Sequence, residues 1–159
     1  MIPERAIIEW REFVPWIKDI MVLGLVKIPF KVTNQWFNGS CEITTYQLDE
    51  LIGTKLRALY QRKKGRDLFD LHKALESKNL NTDNVIKCYH EYISFSDGES
   101  PSQAVYLANM EEKLLEDIFL NDTQTLLRPS LVFNPHEAYE IVKKELIEKI
   151  GNNRNKEQQ

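Results

Sequence analysis

Residues 55–71 of this chain read KLRALYQRKKGRDLFDL, a stretch that predicts two helices separated by a break at Gly65. Six of the chain's 21 lysines and arginines fall within the first thirteen positions of this stretch. It then ends on two carboxylates, Asp67 and Asp70, three residues apart. A cationic helix that leads through a glycine into acidic residues suits a polyphosphate and its metal ion. It also suits a solvated helix followed by a well-capped one.

The position of the basic residues along the helix matters more than their number. Lys55 follows Leu48 by seven residues and Arg62 follows Lys55 by seven, which is nearly two helical turns each time. Both cations are therefore predicted to share the apolar stripe, where an unpaired lysine is costly unless it lines a cleft. In one interpretation Lys55 and Arg62 face a phosphate pocket, and Asp67 and Asp70 orient them or a metal-bound water. In the other, Lys55 reaches water from the edge of the stripe, while the two aspartates only cap the next helix.

Composition predicts one soluble domain over residues 1–150 and a disordered polar tail over residues 151–159. The chain has 159 residues, of which 42% are hydrophobic and 28% charged, enough for one sizeable core. Its net charge of −3 gives no global attraction to nucleic acid or to a membrane, so any anion-binding surface must be local.

The cysteines and the apolar stretches predict a cytoplasmic protein without a membrane span. Cys41 and Cys88 lack metal or redox spacing, are predicted to be buried thiols, and fit a reducing compartment. The first residues include three glutamates and do not resemble a signal peptide. The apolar stretch from Met21 to Phe30 is far too short to cross a bilayer.

Three regions are predicted within the domain: an N-terminal segment over residues 1–21, a β-hairpin over residues 22–45, and a helical part over residues 46–150. In the first region, two prolines bracket a short helix over Glu4–Val14. In the second, Asn38–Gly39 is the strongest hairpin turn signal. The predicted fold class is therefore α+β, mostly α, with a small hairpin or sheet followed by a bundle of about five helices.

Start and stop signals place the helices of that bundle. A cap at Thr44 or Thr45 opens a helix that runs to about Arg62, and Asp67 resembles a cap for the next. The later helices are predicted over Thr82–Ile93, from the Ser100–Gln103 start signal with an apolar face that includes Leu107, Leu115 and Ile118, and from Asn134 to Ile150. The tryptophans are equally consistent with an interface or with a core, because the Glu4–Val14 helix needs a surface to pack on.

The stretch from Thr44 to Leu71 resembles the AbiEii/AbiGii toxin family. Members of that family are nucleotidyltransferases of phage abortive-infection and type IV toxin–antitoxin systems. The similarity is dense over some 28 positions. Residues 27–32 and 36–40, together with the helical remainder to about residue 150, also resemble the family's C-terminal half.

The resemblance implies roles for the five charged residues of this stretch. It implies that Lys55 contacts the nucleoside triphosphate and that Asp67 belongs to the next catalytic motif. Arg62, Arg66 and Asp70 also match family positions, and the resemblance implies supporting roles for them in nucleotide binding.

The resemblance also implies a metal-binding core that this sequence lacks. Family members carry a Gly-Gly or Gly-Ser turn followed by an Asp-x-Asp pair that holds Mg²⁺ against the triphosphate. Here Gly39–Ser40 is followed by no Asp-x-Asp. Residues 1–16 resemble the family's N-terminal segment, yet the sequence reaches the start of the C-terminal half within a few residues of Lys18. We interpret this as an internal deletion that leaves a truncated, catalytically incomplete chain with no metal site.

The partners implied by the resemblance are a nucleoside triphosphate, Mg²⁺, a tRNA, other RNA or protein acceptor, and a cognate antitoxin. Two alternatives to an inert remnant stay open from sequence. The chain can be a non-catalytic module that binds a nucleotide, RNA or the antitoxin. It can also be half of an enzyme whose core is supplied by another chain.

Overall fold

A computed structural model describes residues 21–77, 79–128 and 130–151. Over these residues an antiparallel hairpin precedes six α-helices and a short 3₁₀-helix, which confirms the predicted α+β, mostly α class. The elements are β1 Leu25–Thr33, β2 Asn38–Tyr46, α1 Leu48–Gln61, α2 Gly65–Glu76, α3 Thr82–Asp97, α4 Gln103–Lys113, α5 Asp117–Asn121, α6 Pro135–Glu145 and the 3₁₀-helix Ile147–Lys149. The predicted Glu4–Val14 helix and residues 152–159 lie outside the described residues. Among the described helices, none is long and apolar enough to cross a membrane.

The hairpin spans nearly the predicted residues, but its turn lies elsewhere. β1 and β2 pair from Leu25 opposite Tyr46 to Thr33 opposite Asn38, so the predicted turn at Asn38–Gly39 is wrong. The chain reverses over residues 34–37 instead. There the Asn34 carboxamide oxygen accepts hydrogen bonds from the backbone amides of Trp36 and Phe37, at 2.9 and 2.8 Å. This local side-chain-to-backbone bonding fixes the turn before the Asn-Gly pair is reached.

The first helix, α1, is the centre of the helical part. Of the apolar stripe that helical spacing predicts, Ile52, Leu56 and Leu59 are buried, whereas Leu48 and Leu51, in the first turn of the helix, are exposed. It packs against α2, α3 and α4, and α2 in turn packs against α5 and α6. Gly53 allows α1 to approach α3 closely, because a Cβ atom there would lie only 2.6 Å from the Cβ of Cys88. The core is thus built around α1, whose C-terminal half is the first part of the 55–71 stretch.

Several helix boundaries differ from the prediction because other residues provide the caps. Thr44 and Thr45 lie in β2, and α1 begins only at Leu48. The fourth helix begins two residues later than predicted, since the Ser102 hydroxyl, rather than Ser100, accepts the Val105 amide. At the start of α6, Asn134 is the N-cap, as predicted, and its side chain accepts the amides of His136 and Glu137.

Two side-chain predictions are wrong. Leu115 and Ile118 were expected on a buried helical face, but α4 ends at Lys113 and both residues are largely exposed. Cys41 was expected to be buried, but it lies exposed on the hairpin. Cys88 is buried as predicted, and burial raises the pKa of its thiol to about 11.

Candidate functional site

The charged residues of the 55–71 stretch meet where α1 ends and α2 begins. The α1 helix stops at Gln61, three residues link it to α2, and α2 begins at Gly65. Gly65 is buried, and a Cβ atom there would collide with the carbonyl oxygen of Phe119 in α5. The glycine therefore lets the first turn of α2 sit against α5, which fixes the place of Asp67 relative to α1.

Asp67 is the buried centre of the cluster, with no exposed surface. The Arg62 guanidinium donates two hydrogen bonds to it, Nε to Oδ2 at 2.7 Å and Nη2 to Oδ1 at 2.8 Å. Lys55 Nζ donates a third to Oδ1 at 3.3 Å. A fully buried carboxylate is stable when it is paired and hydrogen-bonded in this way. Asp67 thus binds both cations rather than capping α2.

Lys55 bridges the two aspartates of α2. Its ammonium lies 2.7 Å from Asp70 Oδ2, in addition to its contact with Asp67. Desolvation lowers the pKa of Lys55, but the hydrogen bonds and charges of Asp70 and Asp67 outweigh it, so the net pKa is raised. About a third of the Lys55 side chain (35%) and 41% of Asp70 remain exposed. This ion pair is therefore the part of the cluster that solvent and solutes can reach.

Arg62 reaches the cluster by a different route from the predicted one. It was expected on the apolar stripe of α1, but the helix has already ended and Arg62 has an extended backbone, with φ −130° and ψ 157°. Its side chain is about half exposed (54%) and folds back onto Asp67. The hydrogen bond to Asp67 raises the pKa of the Arg62 guanidinium. Arg62 therefore lies beside Lys55 as predicted, although it extends from a loop.

Arg66 belongs to a neighbouring ion pair. Its guanidinium Nε lies 3.3 Å from Asp122 Oδ2, and the same oxygen accepts the Arg66 backbone amide at 3.1 Å. Asp122 follows α5 and so caps the positive N-terminal end of α2. The structure thus brings together four of the five predicted residues and places Arg66 beside them. The three cations and three carboxylates of this region balance in formal charge.

A buried lysine, Lys113, stabilises the end of α1 next to the site. This role was not predicted from the sequence. Lys113 of α4 is almost fully buried, and its ammonium donates hydrogen bonds to the carbonyl oxygens of Leu59 and Tyr60, the latter at 2.7 Å. It thereby satisfies two of the carbonyls that the end of α1 leaves free. Burial, followed by the nearby charge of Lys63, lowers the pKa of Lys113 to about 8. Its helical spacing after Tyr106 and Met110, both buried, was the signal that placed it inward.

The carboxylates of the cluster do not form a metal-binding set. Both oxygens of Asp67 accept hydrogen bonds from cationic side chains, and the Asp70 oxygen nearest the cluster pairs with Lys55. Across residues 21–77, 79–128 and 130–151, no group of three or more histidine, cysteine, aspartate or glutamate side chains is arranged to hold a metal ion. The partly exposed side chains of the cluster are Lys55, Arg62 and Asp70.

Comparison with protein-family models places this chain in a family. Residues 17–145 match the family model described as nucleotidyl transferase AbiEii toxin, type IV toxin–antitoxin system. The match includes every residue of the charged cluster. Searches of curated proteins and of solved structures give no match. Because the family model covers well over half of its residues, the chain belongs to the AbiEii nucleotidyl transferase toxin family.

Proposed function

We propose that this chain provides the triphosphate-binding side of an AbiEii nucleotidyltransferase site and does not transfer nucleotides by itself. One observation carries the proposal. The buried Asp67 carboxylate holds the Lys55 ammonium and the Arg62 guanidinium together, so that two cations can contact one phosphate chain. Lysine and arginine are the side chains that proteins use for phosphate oxygens, the former as a point charge and the latter as a planar fork.

The exposed Lys55–Asp70 ion pair is where a phosphate group would bind. Lys55 already has two carboxylate partners, so an incoming phosphate oxygen would replace Asp70, the exposed one, while Asp67 stays buried beneath. Asp70 then competes with the ligand for the same ammonium. On this proposal Lys55 contacts the triphosphate, Arg62 adds a second, supporting contact, Asp67 holds both cations in place, and Asp70 limits the affinity. Arg66, paired with Asp122, contributes only to the local charge.

We also propose that this chain lacks the metal-binding part of the catalytic site. Membership of the family supports a nucleoside triphosphate substrate and a metal-dependent reaction in which carboxylates hold Mg²⁺. The residues of the cluster do not fit that metal, since a divalent cation would meet Lys55 and Arg62 at the same carboxylates. The sequence also has no Gly-Ser turn followed by an Asp-x-Asp pair. We therefore attribute the missing metal ligands to an internal deletion between about residues 17 and 23.

Partners follow from the family. A type IV toxin–antitoxin system supports a cognate antitoxin as a protein partner, and a nucleotidyltransferase needs an acceptor such as an RNA. The cluster itself favours the nucleotide over RNA. It is compact and electrically balanced, whereas RNA-binding surfaces combine an extended basic patch with stacking aromatic side chains.

The transfer reaction gives the test of incompleteness. We expect that the chain, incubated with each labelled nucleoside triphosphate, Mg²⁺ and a tRNA mixture, will leave the RNA unlabelled, because among the described residues no set of side chains positions the metal that activates the acceptor hydroxyl. Gel electrophoresis of the RNA measures incorporation. A Lys55→Ala variant is assayed in parallel to exclude contaminating activity.

Incorporation by the wild-type chain that disappears in Lys55→Ala would show that the site is complete and would refute the proposal. Incorporation that persists unchanged in Lys55→Ala belongs to a contaminating enzyme and is removed by further purification before the assay is scored.

A further inference from the structure

One face of the hairpin is apolar and uncovered. Side chains directly opposite each other on antiparallel strands share a face, and alternate residues of a strand share it too. Ile28 lies opposite Ile43 and Phe30 lies opposite Cys41, so these four side chains form a continuous apolar patch. The other face carries the polar residues, among them Lys27 and Glu42, which pair at 3.3 Å.

The apolar side chains of this patch are more exposed than those on the packed face of a sheet. Ile28 and Phe30 are each 49% exposed, and Ile43 is 44% exposed. Within the described part of the chain, neither strand packs extensively against a helix. A two-stranded hairpin is at best marginally stable in water unless its hydrophobic face is covered. The hairpin therefore requires a cover that the described residues do not supply.

The chain enters the fold at one end of this patch, where it is firmly held. The buried carboxylate of Glu50 accepts the backbone amides of Val22 and Leu23, both at 2.9 Å. The Tyr92 hydroxyl donates to the same carboxylate at 2.7 Å, and Gln47 donates to the Leu23 carbonyl at 2.7 Å. These bonds fix residues 22–23 directly before β1. The segment that precedes Met21 is therefore attached next to the hairpin's open end, where Leu25 pairs with Tyr46.

We propose that residues 1–20 pack on the apolar face of the hairpin and complete it as a layer. This segment is rich in large apolar side chains, including Ile7, Ile8, Trp10, Phe13 and Trp16. Its length is sufficient, since twenty residues can extend over roughly 65 Å, about twice the length of a nine-residue strand. Its attachment at Met21 gives it an effective concentration in the millimolar range, which a second copy at micromolar concentration cannot match.

A natural reporter lies on the patch. Cys41 is exposed in the described structure and sits opposite Phe30, so anything that covers the patch also covers its thiol. Cys88 is buried and its pKa is raised to about 11, so it does not compete for a thiol reagent while the chain stays folded. The rate at which the folded chain reacts with DTNB therefore measures access to the patch.

The test compares the full chain with a variant of the segment. We expect Cys41 of the monomeric wild-type chain to react with DTNB about tenfold more slowly than glutathione does, because its approach is blocked. The double substitution Ile7→Glu/Trp10→Glu should restore fast labelling, since charged side chains cannot be buried on the patch. Arg11→Glu adds an acidic residue at a polar position of the same segment and should leave the slow rate unchanged. Circular dichroism checks that all three chains are folded.

Three results would overturn the proposal. Cys41 that reacts as fast as glutathione in the monomer shows that nothing covers the patch. Slow labelling that survives Ile7→Glu/Trp10→Glu shows that another part covers it. Protection that appears only at concentrations where sedimentation detects a dimer identifies a second copy as the cover.

Discussion

Replacing Arg62 by methionine should lower the free energy of unfolding by about 3 kcal/mol, a large share of the total for a domain of this size. The variant keeps the aliphatic bulk of the side chain but leaves the buried Asp67 carboxylate with one cationic partner, Lys55, at 3.3 Å. A buried charge that loses its better partner is not compensated by water. Urea unfolding followed by circular dichroism measures the loss, with the slope expected to stay constant.

Two further variants identify the cause of that loss. Lys63→Met removes a neighbouring cation from an exposed pair with Glu116 and should cost less than about 1 kcal/mol. Asp67→Asn in the Arg62→Met background removes the orphaned charge, so the double variant should be more stable than the sum of the two single losses implies, by about 2 kcal/mol. Additive losses would show that Arg62 and Asp67 are not energetically coupled.

Substitutions at the Lys55–Asp70 pair should change triphosphate binding in opposite directions. Lys55→Met removes the ammonium that contacts the phosphate and should weaken ATP binding by about tenfold or more. Asp70→Asn removes the carboxylate that occupies this ammonium and should strengthen binding by roughly tenfold, as expected for one close charge near a protein surface. Isothermal titration at low salt measures both, and affinity should fall as salt is added.

Matched variants separate local effects from net charge. Asp83→Asn removes one negative charge from an exposed position in the first turn of α3, away from the cluster, and should leave the affinity unchanged. Lys73→Met removes one positive charge from an exposed pair with Glu76 and should also have little effect. If Asp83→Asn strengthened binding as much as Asp70→Asn, the gain would come from the overall charge, and the assigned competition at Lys55 would be wrong.

Local patterns predicted the helical core well where spacing and capping residues act within one helix. The buried positions Ile52, Leu56 and Leu59 and the Asn134 cap were all predictable, because each depends on neighbours a few residues away. The hairpin turn was misplaced because the Asn34 side chain accepts the amides of Trp36 and Phe37, which reverses the chain before Asn38–Gly39. The end of α4 was missed because no glycine or proline follows Lys113 closely enough to mark it.

The candidate site was predictable only in part, for a similar reason. Helical spacing placed Lys55 on the side of α1 that faces the cluster and placed Asp67 and Asp70 on one face of the next helix. Arg62, by contrast, reaches the cluster from extended backbone that begins where α1 has already ended. The spacing did not show that the aspartates pair with those cations, which depends on the angle between α1 and α2 and on the close contact at Gly65. Nor did it give Asp122, which lies 56 residues from Arg66 in sequence and meets it only through the packing of α5 on α2.

The central claim is that this chain holds a triphosphate through cations and has no metal-binding half, and the effect of Mg²⁺ on ATP binding tests it most directly. Mg²⁺ neutralises part of the triphosphate charge, so a site that contacts the phosphates only through Lys55 and Arg62 should prefer free ATP. Titration of ATP at constant ionic strength, with and without excess Mg²⁺, should therefore show weaker binding when the metal is present. Binding that requires Mg²⁺, or that becomes tighter with it, would contradict the account, because it would show that this chain supplies metal ligands.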